Sequence, residues 1–271
     1  MRIGVHSLMS DEGVRPDRLA RALEERGFDA MFVPEHSHLP VRTEIPYPMG
    51  GPVPRPYFRI YDPFVALSMA AAVTDRLLLG TGIAILPQRD VIQTAKEVAS
   101  LDQLSGGRFL FGIGTGWQFD EMRDHGVDPR TRGARMTEQL AALQEIWTKD
   151  EAEFHGEHVD FDPIHAWPKP VPMPPIYHGG AGPRVLGRVR RFGRAWMPAA
   201  VTDPADVPGQ LAPAEGLPVS VYYGDGDNEP VLEAYARAGV ERVTLFLDEL
   251  SEAETFARLD VLAKLVDRYP E

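Results

Sequence analysis

Hydrophobic residues recur along the chain in two patterns that alternate with each other. Short apolar runs bounded by glycine, proline or polar residues are typical of buried parallel strands. They predict eight strands, over residues 2–8, 30–34, 77–86, 109–113, 175–179, 195–198, 217–223 and 243–247. Apolar residues at helical spacing predict helices between them, over residues 16–26, 62–73, 90–104, 131–147, 183–192, 229–238 and 251–269.

Polar and small residues define the boundaries of these elements. Asp62, followed by proline, and Ser251 are predicted to be helix N-caps. Residues 39–61 are rich in proline and aromatic residues and are predicted to form a long loop. Residues 154–161 predict a small hairpin or an extended arm. Residues 203–216 carry three prolines and two glycines, so we expect little helix there and a shortened sixth βα unit.

Eight strands, nearly all followed by helices, favour parallel pairing with right-handed crossovers. The α/β architecture that repeats this unit eight times is the (β/α)₈ TIM barrel, and 271 residues suit one such domain over residues 1–271. A doubly wound open sheet is the alternative, although it usually has fewer strands.

Composition narrows the class of partner. The net charge of −12 and the pI of about 5.2 disfavour binding to nucleic acid. The absence of cysteine excludes disulfides, thiolate catalysis and cysteine-ligated zinc. The N-terminus lacks the apolar region of a signal peptide, and no run is long enough to cross a bilayer. We therefore expect a cytoplasmic protein that acts on a small-molecule substrate.

Barrel enzymes carry their chemistry at the C-terminal ends of the strands, which directs attention to the residues that follow each strand. His36 follows the second strand and can serve as an acid, a base or a hydrogen-bond donor to a ring. The alternative is that Glu35 and His36 simply pair. Gly82 and Ile83 end the third strand, where glycine indicates either close approach to a ligand or a simple kink.

The fourth strand ends in GIGTGW, which includes Thr115, Gly116 and Trp117. Three glycines in five positions allow the backbone to approach a flat or anionic ligand closely. The spacing differs from that of the dinucleotide fingerprint. Glu121 follows and supplies a carboxyl group near the same rim, which makes it the second candidate catalytic residue. The alternative is an acid that is merely solvated.

The fifth strand ends in a glycine turn that leads directly into a helix. Such a turn with a free helix N-terminus predicts a phosphate site. Its candidate residues are Gly179, Gly180, Ala181, Gly182 and Arg184. Arginines at 184, 188 and 191 share one face of the helix and favour a phosphate-bearing cofactor tail, although a solvated basic helix is the alternative.

His155 and His158 have a spacing that can bind a metal ion. No third ligand is evident from the sequence, so no metal site is predicted.

Several of these segments together resemble the luciferase-like monooxygenase superfamily. They are LLGTGIAILPQRDVIQTAKEVASLDQLSGGRFLF (residues 78–111) and GFDAMFVPEH (residues 27–36). Four further stretches are similar to the actinobacterial subgroup that uses coenzyme F420: HGVDPRTRGARMTEQLAALQEIW, EFHGE, WPKP and HGGAGPR. The resemblance covers approximately residues 1–200.

The resemblance implies a barrel with an isoalloxazine-like ring over its C-terminal mouth. It places a cis peptide at Gly82–Ile83 against the ring, and His36 beside the reactive centre. It implies that Gly179, Gly180 and Gly182 bind the cofactor phosphate.

Two departures from the family matter. Trp117 stands where some F420-dependent relatives have an acidic glutamate, which disfavours a sugar-phosphate dehydrogenase, and Gly114 stands where luciferases have a cysteine.

Three functions remain open at this point. The first is hydride transfer between F420 and a small organic substrate, which the resemblance favours. The second is an oxygen-using monooxygenase that takes reduced FMN from a separate reductase. The third is a barrel that binds flavin without catalysis, which the presence of His36 and both glycine turns disfavours. The loop over residues 39–61 is expected to set specificity or to contact the partner in a homodimer.

Overall fold

The computed structural model describes residues 1–269; Pro270 and Glu271, the end of the predicted domain, lie outside the described residues. The strands are β1 (Arg2–Ser7), β2 (Ala30–Val33), β3 (Leu78–Thr81), β4 (Ala84–Ile85), β5 (Phe109–Gly114), β6 (Ala152–His155), β7 (Asp160–Ile164), β8 (Ile176–Gly179), β9 (Ala195–Met197), β10 (Ser220–Gly224) and β11 (Arg242–Leu247). The helices are α1 (Pro16–Glu25), α2 (Pro63–Ala71), α3 (Val91–Leu104), α4 (Phe119–Asp124), α5 (Arg132–Thr148), α6 (Pro183–Phe192), α7 (Val207–Leu211), α8 (Glu229–Arg237) and α9 (Glu252–Arg268).

Eight parallel strands form the barrel. They neighbour one another in the order β10, β11, β1, β2, β3, β5, β8 and β9. Parallel bridges from Trp196 to Val219 and from Ala199 to Tyr222 bring β9 to β10, so the sheet closes on itself almost completely. This confirms the predicted (β/α)₈ barrel. Among the described residues, no helix combines the length and apolar character needed to cross a membrane.

Apolar side chains fill the space on both sides of the strand layer. The larger cluster packs the helices against the strands, and the smaller one, which includes Phe32, Leu110 and Met197, fills the barrel interior. Arg242 is buried at the N-terminal ends of the strands, where it forms an ion pair with Asp29. The interior is therefore packed with side chains, and the cavities considered below open at the C-terminal ends.

The predicted strand over residues 77–86 is interrupted. It consists of β3 and β4, separated by Gly82 and Ile83, and it continues into a 3₁₀ turn over Leu86–Gln88. The peptide bond between Gly82 and Ile83 is cis, as the resemblance implies. The interruption by glycine was predicted from the sequence, and the structure adds that β4 pairs only with the end of β5.

The predicted caps and the weak segments also agree with the structure. The Asp62 carboxylate accepts hydrogen bonds from the backbone N–H groups of Phe64 and Val65, and Ser251 forms a capping box with Glu254. Strands β6 and β7 form the hairpin. The sixth unit is short, since α7 has five residues between two 3₁₀ turns. Helix α4 was not predicted.

Candidate active site

A cavity of about 230 Å³ opens at the C-terminal mouth of the barrel. Side chains and backbone from the ends of β2, β4, β5, β8 and β10 line it. Eight of the residues predicted from sequence meet there: His36, Gly82, Ile83, Thr115, Gly116, Trp117, Gly179 and Gly180. The sequence-based prediction thus located one site, assembled from segments that are far apart along the chain.

Ile83 is in close contact with the neighbouring strand ends. A Cβ atom at Gly114 would collide with Ile83 Cδ1, and one at Gly179 would lie 2.9 Å from Ile83 Cγ2. Because Gly114 and Gly179 have no side chains, the Ile83 side chain packs directly on the backbone of the two strand ends. The result is an apolar surface in the mouth against which a planar ring can lie.

Glu35 anchors the segment that follows this surface. Its buried carboxylate accepts a hydrogen bond from the Ile85 backbone N–H at 2.6 Å and another from Arg89 Nε at 2.8 Å. Burial raises the pKa of Glu35, although Arg89 beside it opposes the rise. The alternative in which Glu35 pairs with His36 is therefore wrong. The carboxylate of Glu35 instead binds the backbone of β4 at Ile85 and the side chain of Arg89.

His36 contacts a polar partner at each ring nitrogen. Its Nδ1 lies 2.6 Å from Glu121 Oε2, and its Nε2 accepts a hydrogen bond from the Trp117 indole N–H at 3.2 Å. Because a carboxylate only accepts, this network assigns the proton to Nδ1 and leaves the Nε2 lone pair on the side of Trp117. The His36 side chain is 4% exposed and that of Glu121 is 0% exposed. The ring is therefore fixed in orientation and in tautomer.

Glu121 lies behind His36 and not in the cavity. Helix α4 brings it there, and its other oxygen accepts from the Ser37 backbone N–H at 2.8 Å. The alternative of a merely solvated acid is wrong, because the side chain is fully buried. Its position suits a role that acts through the imidazole.

Three tyrosines extend the polar wall of the site. The Tyr57 hydroxyl lies 3.1 Å from the hydroxyls of both Tyr47 and Tyr223. Tyr57 and Tyr223 line the cavity, and burial raises the pKa of both. Sequence reasoning missed them, although Tyr223 stands at a strand end and could have been found by the same rule that found His36.

His6, near the end of β1, was also missed. Its ring is fully buried, and a Cβ atom at Gly82 would lie 3.0 Å from its Nδ1. Neither ring nitrogen has a hydrogen-bond partner in the described part of the chain, and burial lowers the pKa of His6 to about 3. A neutral imidazole therefore supports the backbone of the cis peptide from below.

A second cavity, the arginine cleft, adjoins the mouth and has a volume of about 670 Å³. Thr115 lines both cavities. The cleft is lined by five arginines, Arg130, Arg132, Arg184, Arg188 and Arg191. Within residues 1–269, no carboxylate forms an ion pair with any of them except Asp128, which pairs with Arg130. Arg188 Nε is buried without a partner, and burial together with nearby Arg184 lowers the pKa of Arg188.

The glycine turn separates regions of different character. Gly180 and Gly182 have φ values of +99° and +94°, which favour glycine, and Gly182 is the N-cap of α6. Gly179 and Gly180 line the mouth, and Ala181 and Arg184 line the arginine cleft. Gly182 lines an apolar cleft, which Gly180 and Ala181 border as well. The residues predicted to bind phosphate therefore lie where the mouth, the arginine cleft and the apolar cleft meet.

The two histidines of the hairpin do not form a metal site with their neighbours. His155 hydrogen-bonds to Asp160 at 2.7 Å on the exposed hairpin. In the described part of the chain, His38, Glu121 and His125 instead bring potential ligand atoms within 4.8 Å of one another. The Ser37 hydroxyl lies among them, 2.9 Å from His38 Nδ1 and 2.6 Å from His125 Nε2. Hydrogen bonds through this hydroxyl account for the grouping.

Comparison with known proteins finds relatives in both sequence and fold. The sequence profile described as luciferase-like monooxygenase matches residues 14–213. An uncharacterised protein of Mycobacterium tuberculosis is 37% identical over 278 residues, which covers 97% of this chain and 98% of the relative. An F420-dependent hydroxymycolic acid dehydrogenase of the same organism is 28% identical over 203 residues, covering 73% of this chain and 53% of the relative.

Two solved structures share the fold over the whole chain. A monooxygenase from Streptomyces bottropensis has a TM-score of 0.78 at 20% identity and covers 100% of both chains. An F420-dependent secondary alcohol dehydrogenase, solved with an F420-acetone adduct, also has a TM-score of 0.78, at 17% identity over 100% of this chain and 99% of that one.

Proposed function

Because the chain belongs to the luciferase-like monooxygenase family, we propose that it is an oxidoreductase that transfers a hydride between coenzyme F420 and a small organic substrate. Bound F420 supplies a deazaflavin ring that takes up or gives a hydride. The residues that would hold the ring are those of the mouth, with Ile83 beneath it and Thr115, Gly116 and Trp117 at its edge. The glycine turn at Gly179 and Gly180 would hold the phosphate.

The observation that carries the choice of F420 is the arginine cleft. FMN ends at a single phosphate, whereas F420 continues beyond its phosphate into a tail of carboxylates. A cleft of about 670 Å³ with five arginines exceeds what one phosphate requires. Arg188 lies there with a buried, unpartnered Nε, which is unfavourable unless an anion compensates it. An extended anionic tail fits both the size and the charge.

His36 is the group that would handle the proton. In the oxidation of an alcohol, His36 Nε2 would accept the O–H proton, which balances the C–H hydride that the deazaflavin ring would take up. The substrate hydroxyl would displace the Trp117 indole N–H from that lone pair. Glu121, already accepting from Nδ1, stabilises the resulting imidazolium at a buried position. In the reverse direction the same nitrogen returns the proton to the carbonyl oxygen.

The second candidate is a monooxygenase that uses reduced FMN and oxygen and is supplied by a separate reductase. The fold similarity to a Streptomyces monooxygenase favours it. The apolar surface at Ile83 suits either ring equally. The arginine cleft is the feature that this alternative leaves unexplained.

The test is anaerobic reduction of F420, followed by loss of its visible absorbance, with a panel of secondary alcohols. We expect the wild-type protein to reduce F420 with at least one alcohol. His36→Ala should lower kcat by about 10²- to 10⁴-fold, the usual contribution of a general base, without loss of F420 binding. His38→Ala is the matched control, because His38 is a half-exposed neighbour outside the cavity.

Two results would overturn the proposal. One is equal loss of activity in both histidine variants. The other is substrate oxidation that requires oxygen and reduced FMN and proceeds without F420.

A further inference from the structure

A third cavity, the apolar cleft, lies across the glycine turn from the arginines. Its volume is about 490 Å³, and its lining includes Pro183, Leu186, Trp196, Pro198, Ala199 and Pro213. Among residues 1–269, no charged side chain lines it. The shortened sixth unit forms part of its wall, through Gln210 of α7 and Pro213 of the turn that follows.

The polar side-chain atoms of Trp196 and Gln210, which line the apolar cleft, are already paired. The Trp196 indole N–H donates to the Gly180 carbonyl at 2.7 Å. Gln210 donates from Nε2 to the Ala199 carbonyl at 2.6 Å, and its Oε1 accepts from the Tyr235 hydroxyl at 2.8 Å. The side chains therefore offer an occupant mainly carbon surface. A charged or strongly polar occupant would lose water without gaining partners there.

The apolar cleft is continuous with the catalytic mouth. Gly180 and Tyr222 line both cavities. A molecule whose reacting carbon lies near His36 can therefore extend past Tyr222 into the cleft. The mouth and the arginine cleft share Thr115, and Ala181 of the glycine turn borders both clefts. The two clefts differ in charge, so an anionic tail and an apolar chain are directed to different clefts.

We propose that the apolar cleft is the binding site for the apolar part of the substrate, and that the substrate class is secondary alcohols or ketones with a medium or long hydrocarbon chain. This inference rests on the proposed function for the identity of the reacting group. The cleft itself requires only an uncharged apolar ligand. Chain length should govern affinity, because each additional buried methylene contributes a constant increment.

Binding without cofactor tests the site directly. Nile red, a neutral apolar dye, is bound to the protein and displaced by 2-alkanones from acetone to 2-decanone. We expect affinity to rise by about fourfold per methylene over the middle of the series. Ala199→Trp, which fills the apolar cleft from an exposed position, should abolish dye binding and this dependence. Ala134→Trp is the matched control, because Ala134 is equally exposed but lines only the arginine cleft.

The same two variants separate this inference from the choice of cofactor. Ala199→Trp should leave F420 affinity and turnover of 2-propanol unchanged while removing the preference for long chains. Ala134→Trp should weaken F420 binding and leave Nile red binding intact. The inference is overturned if Ala199→Trp weakens the binding of F420 and leaves the binding of Nile red intact, or if both variants lose Nile red binding equally. It is also overturned if the affinity for 2-alkanones is independent of chain length. Failure of F420 to bind, with the dye pattern intact, would count against the proposed function alone.

Discussion

His36 shows how single contacts between distant residues make the site. Its carboxylate partner Glu121 lies 85 positions further along the chain, and its other hydrogen-bond partner is Trp117. The position of His36 followed from its place after a strand. Its pairing did not, because a contact over that sequence distance depends on how β2 and α4 meet in space. For the same reason sequence reasoning could not identify Arg89 as the partner of Glu35.

Glu121 is a positioning residue, and its replacement gives the first residue-scale prediction. Glu121→Gln keeps the shape but removes the charge that stabilises protonated His36. We expect kcat for alcohol oxidation to fall by about 10- to 100-fold, in the range of losses seen when an orienting partner is removed. We also expect the onset of activity to move to lower pH, because the protonated form of His36 loses its stabilising charge. A pH profile of kcat checks this. A profile that keeps its midpoint while only the rate falls would indicate a structural role.

At the scale of elements, helix ends and strand ends were the best predicted features. Asp62 and Ser251 cap their helices because their side chains satisfy backbone N–H groups locally, which sequence alone can indicate. Helix α4 was missed because its six residues lack a repeated apolar pattern. The glycine in LLLGTGIAIL indicated the interruption between β3 and β4, but the pairing of β4 with β5 alone depends on the neighbouring strands and could not be predicted from the sequence.

The capping box of α9 supports an element-scale prediction about stability. Ser251→Ala removes the hydroxyl that accepts from the Glu254 N–H, so the free energy of unfolding should fall by about 1 kcal/mol. Urea unfolding measures the change, and F420 binding should be unaffected. Ser68→Ala, on an exposed position within α2, is the control and should be neutral or slightly stabilising. Equal losses in the two variants would mean that the box contributes nothing.

At the scale of the whole molecule, charge is distributed unevenly. The chain carries a net charge of −12, yet five arginines line one cleft beside the mouth. The sequence indicated the three arginines of α6, because a helical period places them on one face. It did not indicate Arg130 and Arg132, which reach the same cleft only because the start of α5 packs near α6.

Two buried histidines make the stability of the molecule sensitive to acid. Burial lowers the pKa of His6 to about 3, and burial with nearby Arg188 lowers that of His178 to about 4. Unfolded histidine titrates near pH 6.5. Between these values the unfolded chain binds more protons, so the free energy of unfolding should fall as the pH drops below about 6.5, by about 1.4 kcal/mol per pH unit for each histidine.

Urea unfolding between pH 7 and pH 5 tests this expectation. His6→Leu should show a slope that is smaller by one proton than that of the wild-type protein. His165→Leu, at an exposed position on the hairpin connection, should keep the wild-type slope. If His6→Leu and the wild-type protein share one slope, His6 is protonated in the folded state and its burial has been misjudged.

The most direct test of the central claim is an equilibrium fluorescence titration of the protein with F420 and, separately, with FMN. We predict that F420 binds more tightly than FMN. Arg184→Ala and Arg188→Ala should each lower the affinity for F420 by about tenfold or more, the usual contribution of a charge-assisted hydrogen bond. Arg190→Ala, whose side chain on the same helix pairs with Glu215, should change nothing. Tighter binding of FMN, or F420 binding that ignores Arg184 and Arg188, would contradict the account.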